Sequence, residues 1–199
     1  MKSLYLYSSK DERFEDDTRI IKRESIYLTS KYKFLEEWTG LQCGEVIFDS
    51  SKDNWNVNTS VLNERIINKK QLTFIIEDED NEIFGYYLNT EVVEKYRKRQ
   101  ETDSKSFEFN LQSKNNRLKR PMKFEIKNLY WGGIYLFEKS DVDLIWLGDF
   151  YLRKENRKNL SYCEQYEDSF DYHGIKNALC GKVPPEDFTQ KRILVIQMK

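Results

Sequence analysis

Two short apolar runs separated by an acidic segment constrain the fold of this chain more than any other feature. The runs are QLTFII, residues 71–76, and IFGYYL, residues 83–88, and EDEDNE lies between them. Runs of this length, rich in β-branched and aromatic residues and joined by a polar turn, are typical of a β-hairpin. The charged and amide side chains of the connection predict a solvated turn.

Further short runs with strand character follow, and no regular alternation with helices separates them. In MKFEIKN, residues 122–128, apolar and charged residues alternate, which places the two kinds on opposite faces of a strand. The remaining candidate strands are residues 107–111, 133–137, 144–152 and 192–198. Closely spaced strands of this kind favour antiparallel pairing. We predict an α+β, mostly β fold in which two antiparallel sheets pack as a β-sandwich with peripheral helices.

Aromatic residues make up 15% of the chain, so Phe and Tyr are expected to fill much of the interior. The expected core consists of the large apolar residues of the candidate strands. These are Val46, Phe48, Leu72, Phe74, Ile76, Phe107, Phe109, Phe124, Ile126, Trp146, Leu194 and Ile196.

The first 40 residues have a helical rather than a strand-like pattern. Apolar residues recur every seven positions from Phe14 to Leu35, which predicts a helical stripe. We predict an N-terminal helical extension, residues 1–40, followed by the main domain, residues 41–199. The stripe suits a helix packed on its own domain, and it also suits a homodimer formed through this helix. Shorter helices are predicted at residues 61–68 and 91–100, and one or two helical turns at residues 172–181.

The segment IFDSSKDNW, residues 47–55, raises the question of catalysis because a strand-like run ends in Asp49 and Ser50. A serine nucleophile needs a neighbouring base, most often histidine, to take its proton. The chain has one histidine, His173, far from Ser50 in sequence. We therefore predict that Asp49 and Ser50 form a turn that is a signature of the fold, with Trp55 packed beneath it. The chain is then not an enzyme.

Metal and cofactor motifs are not recognisable in the sequence. Cys43, Cys163 and Cys180 are dispersed and lack the spacing of zinc ligands, and no glycine-rich phosphate-binding motif occurs. Unpaired cysteines and an acidic N-terminal region favour a reducing compartment, and no apolar run reaches the length of a membrane span. We expect an intracellular, cytoplasmic protein, with the nucleus as an alternative, no cofactor and no membrane insertion.

Two clusters of basic residues support an alternative in which the chain binds nucleic acid. The candidate contacts are Lys95, Arg97, Lys98, Arg99, Arg117, Lys119 and Arg120. Tyr96, Tyr130 and Trp131 are near these clusters and are of the type that stacks on bases. Against this, the chain has 33 basic and 34 acidic residues, so its net charge of −1 gives no overall attraction to nucleic acid. A charged, solvated surface is the other interpretation.

The first half of the chain resembles the TLDc domain. Residues 47–55 are similar to that family's strand followed by a serine-containing turn. Residues 72–88 resemble its apolar strand, acidic turn and Phe-Gly pair, which is Phe84-Gly85 in this chain.

The resemblance to the TLDc domain continues in the second half. FEFNL, residues 107–111, is similar to a Phe-x-Phe strand of the family, and LIWLGDFYL, residues 144–152, to a strand with a central glycine, here Gly148. Residues 159–198, which include Gly181, resemble its closing region. On these segments, residues 41–199 are identified as a divergent, stand-alone TLDc-like domain.

The family includes proteins linked to oxidative-stress resistance and to the vacuolar proton pump, and it supplies no accepted catalytic set. The resemblance therefore implies a non-enzymatic regulatory module that binds a protein partner, with a subunit of the proton pump as the first candidate. The residues that carry the family pattern are expected to be structural. They are Asp49, Ser50, Trp55, Phe84, Gly85, Gly148 and Gly181.

Overall fold

The computed structural model describes residues 31–114, 117–155, 160–182 and 187–199. Its helices are α1, residues 31–39, and α2 (Leu62–Ile66). Its strands are β1 (Cys43–Asp49), β2 (Leu72–Asp78), β3 (Ile83–Leu88), β4 (Arg99–Gln100), β5 (Phe107–Gln112), β6 (Met122–Glu125), β7 (Ile134–Leu136), β8 (Asp143–Leu147), β9 (Phe150–Arg153), β10 (Ser161–Cys163), β11 (Asp187–Phe188) and β12 (Gln190–Met198). The predicted mostly β fold is confirmed.

The strands form two antiparallel sheets of six strands each. Sheet A has the order β1-β12-β2-β3-β5-β6, and sheet B has the order β11-β10-β9-β8-β7-β4. From β7 to β11, sheet B pairs strands that follow one another in sequence. In sheet A, β12 lies between β1 and β2, so the last strand joins the first to the rest of the sheet.

The central strands of sheet A are buried on both faces because they present apolar residues alternately to two clusters. In β2, Phe74 and Ile76 belong to the cluster that lies between the sheets, whereas Ile75 belongs to a second cluster on the opposite face. In β5, Phe107 and Phe109 belong to this second cluster. Since side chains alternate along a strand, the residues between them face the interior of the sandwich.

Helix α1 covers part of the outer face of sheet A. Leu35 is fully buried there, and the Trp38 ring packs edge-on against Phe107 with 6.0 Å between ring centroids. The helix ends at Gly40, which has a φ of +70° and donates its N–H to the Glu36 carbonyl at 2.9 Å. The described part of the predicted N-terminal helix therefore packs on its own domain. The stripe before residue 31 lies outside the described residues, and the homodimer stays a prediction.

The prediction of a helix at residues 91–100 is wrong, because this segment is irregular, with a turn at Arg97, and ends in β4. Val92 is buried, and its N–H donates to the Lys69 carbonyl at 2.8 Å. The Gln100 side chain binds the backbone of Val93 at both its N–H, 3.0 Å, and its carbonyl, 2.8 Å. These tertiary hydrogen bonds override the helical propensity of the Glu- and Lys-rich sequence.

Two other elements differ from their prediction. Residues 144–152 form not one strand but the hairpin of β8 and β9, since Gly148 has a φ of +51° at the turn. Residues 172–181 form turns rather than a helix. By contrast, α2 lies within the predicted helix at residues 61–68, and β3 has the predicted bounds.

Three expected core residues are not in the core. Val46 is 48% exposed, Trp146 is half-buried on the outer face of sheet B, and Ile126 is partly buried at the margin of the main cluster. The other expected core residues are buried. Trp146 was misplaced because a strand of sheet B buries one face only, and an apolar run does not show which face that is.

Candidate functional site

Ser50 directly follows β1, and its hydroxyl oxygen accepts a hydrogen bond from the backbone. The Ile193 N–H donates to Ser50 Oγ at 2.8 Å, and the Ser50 N–H donates to the Ile193 carbonyl at 2.9 Å. The hydroxyl therefore continues the pairing of β1 with β12 past the end of the strand. This arrangement gives Ser50 a structural task.

The neighbouring carboxylate of Asp49 is bound on both oxygens. Arg192 donates to it through Nε at 3.1 Å and Nη2 at 2.8 Å, and Ser51 Oγ donates at 2.7 Å. Burial favours a raised pKa for Asp49, but the hydrogen bonds from Arg192 and Ser51 outweigh it and hold the pKa well below its usual range. Asp49 is thus ionised at neutral pH and fastens β1 to β12.

His173 and Trp55, the other residues singled out in the search for catalysis, lie away from the Ser50 hydroxyl. His173 is exposed, and its imidazole contacts Asp171 at 3.4 Å and Glu125 at 3.9 Å. Trp55 is 7% exposed and packs in the cluster between the sheets. Within the described ranges, no group of three His, Cys, Asp or Glu residues is arranged to hold a metal ion.

The aromatic and glycine positions of the family pattern lie where the two sheets and their turns pack closely. Phe84 of β3 is fully buried and packs edge-on against Phe150 at 5.8 Å and Phe188 at 5.2 Å, both from sheet B. A Cβ on Gly85 would collide with the carbonyl oxygen of Phe74 in the adjacent β2.

Two further glycines have left-handed backbone conformations. A Cβ on Gly148 would collide with the Glu108 carboxylate and lie 3.0 Å from the Phe170 ring. Gly181 has a φ of +77° and lies beside the side chains of Glu82 and Arg117. The seven residues predicted to carry the family pattern are thus dispersed through the described fold, at turns, at packing contacts and at the junction of β1 with β12.

The acidic turn of the β2–β3 hairpin is less solvated than its sequence predicts. Asp78 and Glu82 are buried, and the Glu82 carboxylate accepts hydrogen bonds from Asn110 Nδ2 at 3.1 Å, the Lys114 N–H at 2.7 Å and Arg117 Nη2 at 2.8 Å. This network ties the hairpin to the connection after β5. The prediction of a solvated turn is corrected for these two carboxylates.

Three of the arginines proposed as nucleic-acid contacts form ion pairs or hydrogen bonds with other groups of the domain, although Arg97 is itself exposed. Arg97 pairs with Asp141 at 2.7 Å, and Arg117 pairs with Glu82. Arg99 is partly buried and donates to the Trp131 carbonyl. The other four candidates are exposed: Lys95, Lys98, Lys119 and Arg120. The exposed ion pair of Arg97 is weak, so the nucleic-acid alternative loses support only at Arg99 and Arg117, which are partly buried and bonded within the fold.

A row of four aromatic side chains crosses the outer face of sheet B. This aromatic row consists of Tyr135, Trp146, Tyr151 and Tyr162, which are register partners on adjacent strands. The Trp146 and Tyr151 rings stack at 4.2 Å, and the Tyr151 and Tyr162 rings at 4.6 Å. Arg99 covers Trp146 from a distance of 3.5 Å. Because these rings cover one another, the row presents ring edges rather than free faces for stacking on bases.

Beside this row lies an exposed apolar turn that we call the aromatic loop, residues 129–131. Leu129 is 43% exposed, Tyr130 47% and Trp131 48%. The Asn128 side chain accepts the N–H groups of Tyr130 and Trp131, each at 3.1 Å, and Arg99 donates to both carbonyls. The loop is therefore held in one conformation while its side chains face solvent. The sequence pattern identifies its aromatic residues but not this geometry.

A buried cluster of two carboxyl groups and a tyrosine, which we call the carboxyl cluster, has no motif in the sequence. Tyr172 Oη lies 2.6 Å from Glu108 Oε2 and 2.7 Å from Asp149 Oδ2. The Asp149 N–H donates to Glu108 Oε1 at 2.7 Å. All three residues are at most 3% exposed. Burial raises the pKa of Asp149 to about 6, and burial together with Asp149 raises the pKa of Glu108 well above its usual value.

Cys43 and Cys163 are not activated as nucleophiles. Cys163 and Cys180 are buried, and burial together with the neighbouring Cys180 thiol raises the pKa of Cys163 well above its usual value. Burial and the charge of Glu36 raise the pKa of Cys43 to about 11. Thiols with raised pKa values carry little thiolate at neutral pH, which makes them poor nucleophiles.

No helix in the described parts of the chain is long and apolar enough to cross a membrane. A search of curated proteins found no match. A family model for the TLDc domain matches residues 14–140, which is more than half of the chain. The match spans α1, α2 and strands β1 to β7, including the Asp49-Ser50 turn and the Phe84-Gly85 pair. The chain therefore belongs to the TLDc domain family.

Proposed function

We propose that this TLDc domain is a non-enzymatic regulatory module that binds a protein partner through the aromatic loop, residues 129–131. Family membership supports a regulatory role of the kind found in TLDc proteins, which are linked to oxidative stress. The structural roles of the polar residues support a domain that binds a partner over one that catalyses a reaction. Asp49 and Ser50, the candidates for catalysis, are fixed in hydrogen bonds that join β1 to β12.

The observation that carries the proposal is the exposure of Leu129, Tyr130 and Trp131 on a turn that is held rigid. Trp and Tyr are the side chains most enriched among the residues that dominate binding energy at protein interfaces. A preformed loop also loses little conformational entropy when it binds. The Tyr86 hydroxyl, which donates to the Gly132 carbonyl at 2.5 Å, anchors the end of the loop to the core.

The first partner to test is a subunit of the vacuolar proton pump, because TLDc proteins are linked to that pump. Purified peripheral subunits of the pump are titrated against the full chain, and the dissociation constant is measured by biolayer interferometry. We expect the double variant Tyr130→Ala, Trp131→Ala to weaken binding by about 30-fold or more, the loss that defines dominant interface residues.

The matched control is Tyr166→Ala, because Tyr166 is 52% exposed outside the aromatic loop. It should bind as the unmodified chain does. If the unmodified chain does not bind the pump subunits, the pump is not the partner. If the double variant binds a partner with unchanged affinity, the aromatic loop is not the binding surface.

A further inference from the structure

The carboxyl cluster brings together three separate parts of the chain. Glu108 lies in β5 of sheet A, Asp149 lies in the turn between β8 and β9 of sheet B, and Tyr172 lies in the segment after β10. The Tyr172 hydroxyl is within hydrogen-bond distance of a carboxyl oxygen from each sheet, at 2.6 Å and 2.7 Å. The cluster therefore joins the two sheets and the segment that crosses them.

Counting hydrogens shows that the cluster needs an additional proton. Tyr172 has one O–H, which can serve only one of its two short contacts. The other contact is a hydrogen bond only if the carboxyl group on that side is protonated and donates to the tyrosine oxygen. Because the Asp149 oxygen already accepts the Tyr166 N–H at 2.6 Å, the consistent arrangement has Glu108 as the acid and Asp149 as the anion.

No cation pairs directly with the cluster to replace that proton, since Arg99 acts on Asp149 only from beyond ion-pair distance. Neither carboxyl group forms an ion pair with any described Lys, Arg or His residue. The raised pKa values of both carboxyl groups agree with a protonated member at neutral pH. Ionisable groups from the surrounding elements act on the cluster. These are Tyr86, Arg99, Cys163, Glu164, Tyr166 and Cys180.

Asp149 also holds the segment that follows β10. The Glu164 N–H donates to the Asp149 carbonyl at 2.8 Å, and the Tyr166 N–H donates to the Asp149 carboxylate. Further along this segment, the Ser169 carbonyl accepts the Lys127 N–H at 2.8 Å, two residues before the aromatic loop. If the shared proton is lost, two buried carboxylates face each other across the single hydroxyl hydrogen of Tyr172. Two negative charges with one donor between them are unfavourable in a nonpolar interior.

We propose that Glu108, Tyr172 and Asp149 form a pH-sensitive switch that fastens residues 164–172 to the two sheets while a proton is shared and releases them when it is lost. Protonation thus favours the closed state and alkaline pH favours the open one. The inference does not depend on the identity of a binding partner, since it concerns the free domain.

Hydrogen exchange of the full chain, followed by mass spectrometry from about pH 5 to about pH 9 with correction for intrinsic rates, tests the switch. We expect protection of residues 164–172 to fall by up to about tenfold per pH unit once the shared proton titrates. Peptides from β2 and β3 should keep their protection over the same range.

The variant Glu108→Gln separates the switch from ordinary alkaline unfolding. A glutamine amide donates to Tyr172 without a titrating proton, so protection of residues 164–172 should no longer fall at alkaline pH. An unchanged pH profile in Glu108→Gln, or pH-independent protection in the unmodified chain, would overturn the proposal. Infrared spectroscopy of the unmodified chain gives a second readout that needs no variant. A protonated carboxyl band should be present at neutral pH, and its absence would refute the shared proton.

Discussion

Replacing Ser50 by alanine should destabilise the domain without removing any catalytic function. The Ser50 hydroxyl is the acceptor for the N–H of Ile193, a fully buried residue, at 2.8 Å. Alanine leaves that N–H without this partner, and an unsatisfied buried donor costs about 1–3 kcal/mol. Ser50 itself is half-buried, and water can replace part of the lost contact, so we expect a loss of about 1–2 kcal/mol.

For a chain of this size, that loss corresponds to a decrease in melting temperature of about 2–8 °C. Urea unfolding followed by circular dichroism gives the free energy of unfolding directly. Ser104→Ala is the matched control because Ser104 is exposed, and it should change stability by less than about 0.5 kcal/mol. If Ser50→Ala were as stable as the unmodified chain, the structural explanation of this serine would be wrong. If it abolished a hydrolytic activity of the pure protein, Ser50 would be a nucleophile.

Three more predictions concern the loss of stability in acid, the packing around a glycine and the reactivity of the buried thiols. Because the pKa of Asp49 is lower in the folded than in the unfolded chain, its charge stabilises the fold above about pH 4, and this stability is lost as pH falls further. Asp49→Asn should therefore cost about 2 kcal/mol of unfolding free energy at neutral pH and less in acid, as measured by urea unfolding. Gly148→Ala should destabilise more than Gly174→Ala by about 1–3 kcal/mol, because both have positive φ but only Gly148 has neighbours within 4 Å; equal losses would contradict the close packing. The two buried thiols should react with a thiol reagent only at the rate of unfolding, and fast reaction of the native chain would contradict their burial.

The sequence predicted the antiparallel arrangement and most of the longer strands, but it did not predict the short strands β4, β10 and β11. The β3 bounds follow from the sharp change between the acidic turn and the apolar run, and the alternation in MKFEIKN identified β6. The helix predicted at residues 91–100 failed because its evidence was local composition. The hydrogen bonds that keep this segment out of a helix come from Lys69 and from the Gln100 side chain, and local composition does not report such contacts.

The carboxyl cluster could not be predicted from the sequence, for a different reason. In FEFNL, alternation predicts that Phe107 and Phe109 face the core and that Glu108 faces solvent. Because α1 covers the outer face of sheet A, both phenylalanines are buried there, and Glu108 is directed into the sandwich. The pattern gives the period of a strand but not the number of layers that cover it. Asp149 and Tyr172 are distant in sequence, so no spacing motif links them to Glu108.

The position of β12 between β1 and β2 determines when β1 can pair during synthesis of the chain. In sheet B, the strands from β7 to β11 pair with their sequence neighbours, and such local contacts form early. β1 has no strand partner until residues 190–198 have been synthesised and inserted between β1 and β2. At about 5–20 residues per second, synthesis of residues 50–189 takes roughly 7–28 s. During that interval on the ribosome, β1 and the β12-facing edge of β2 are open to wrong partners, and chaperones have their longest access to this domain.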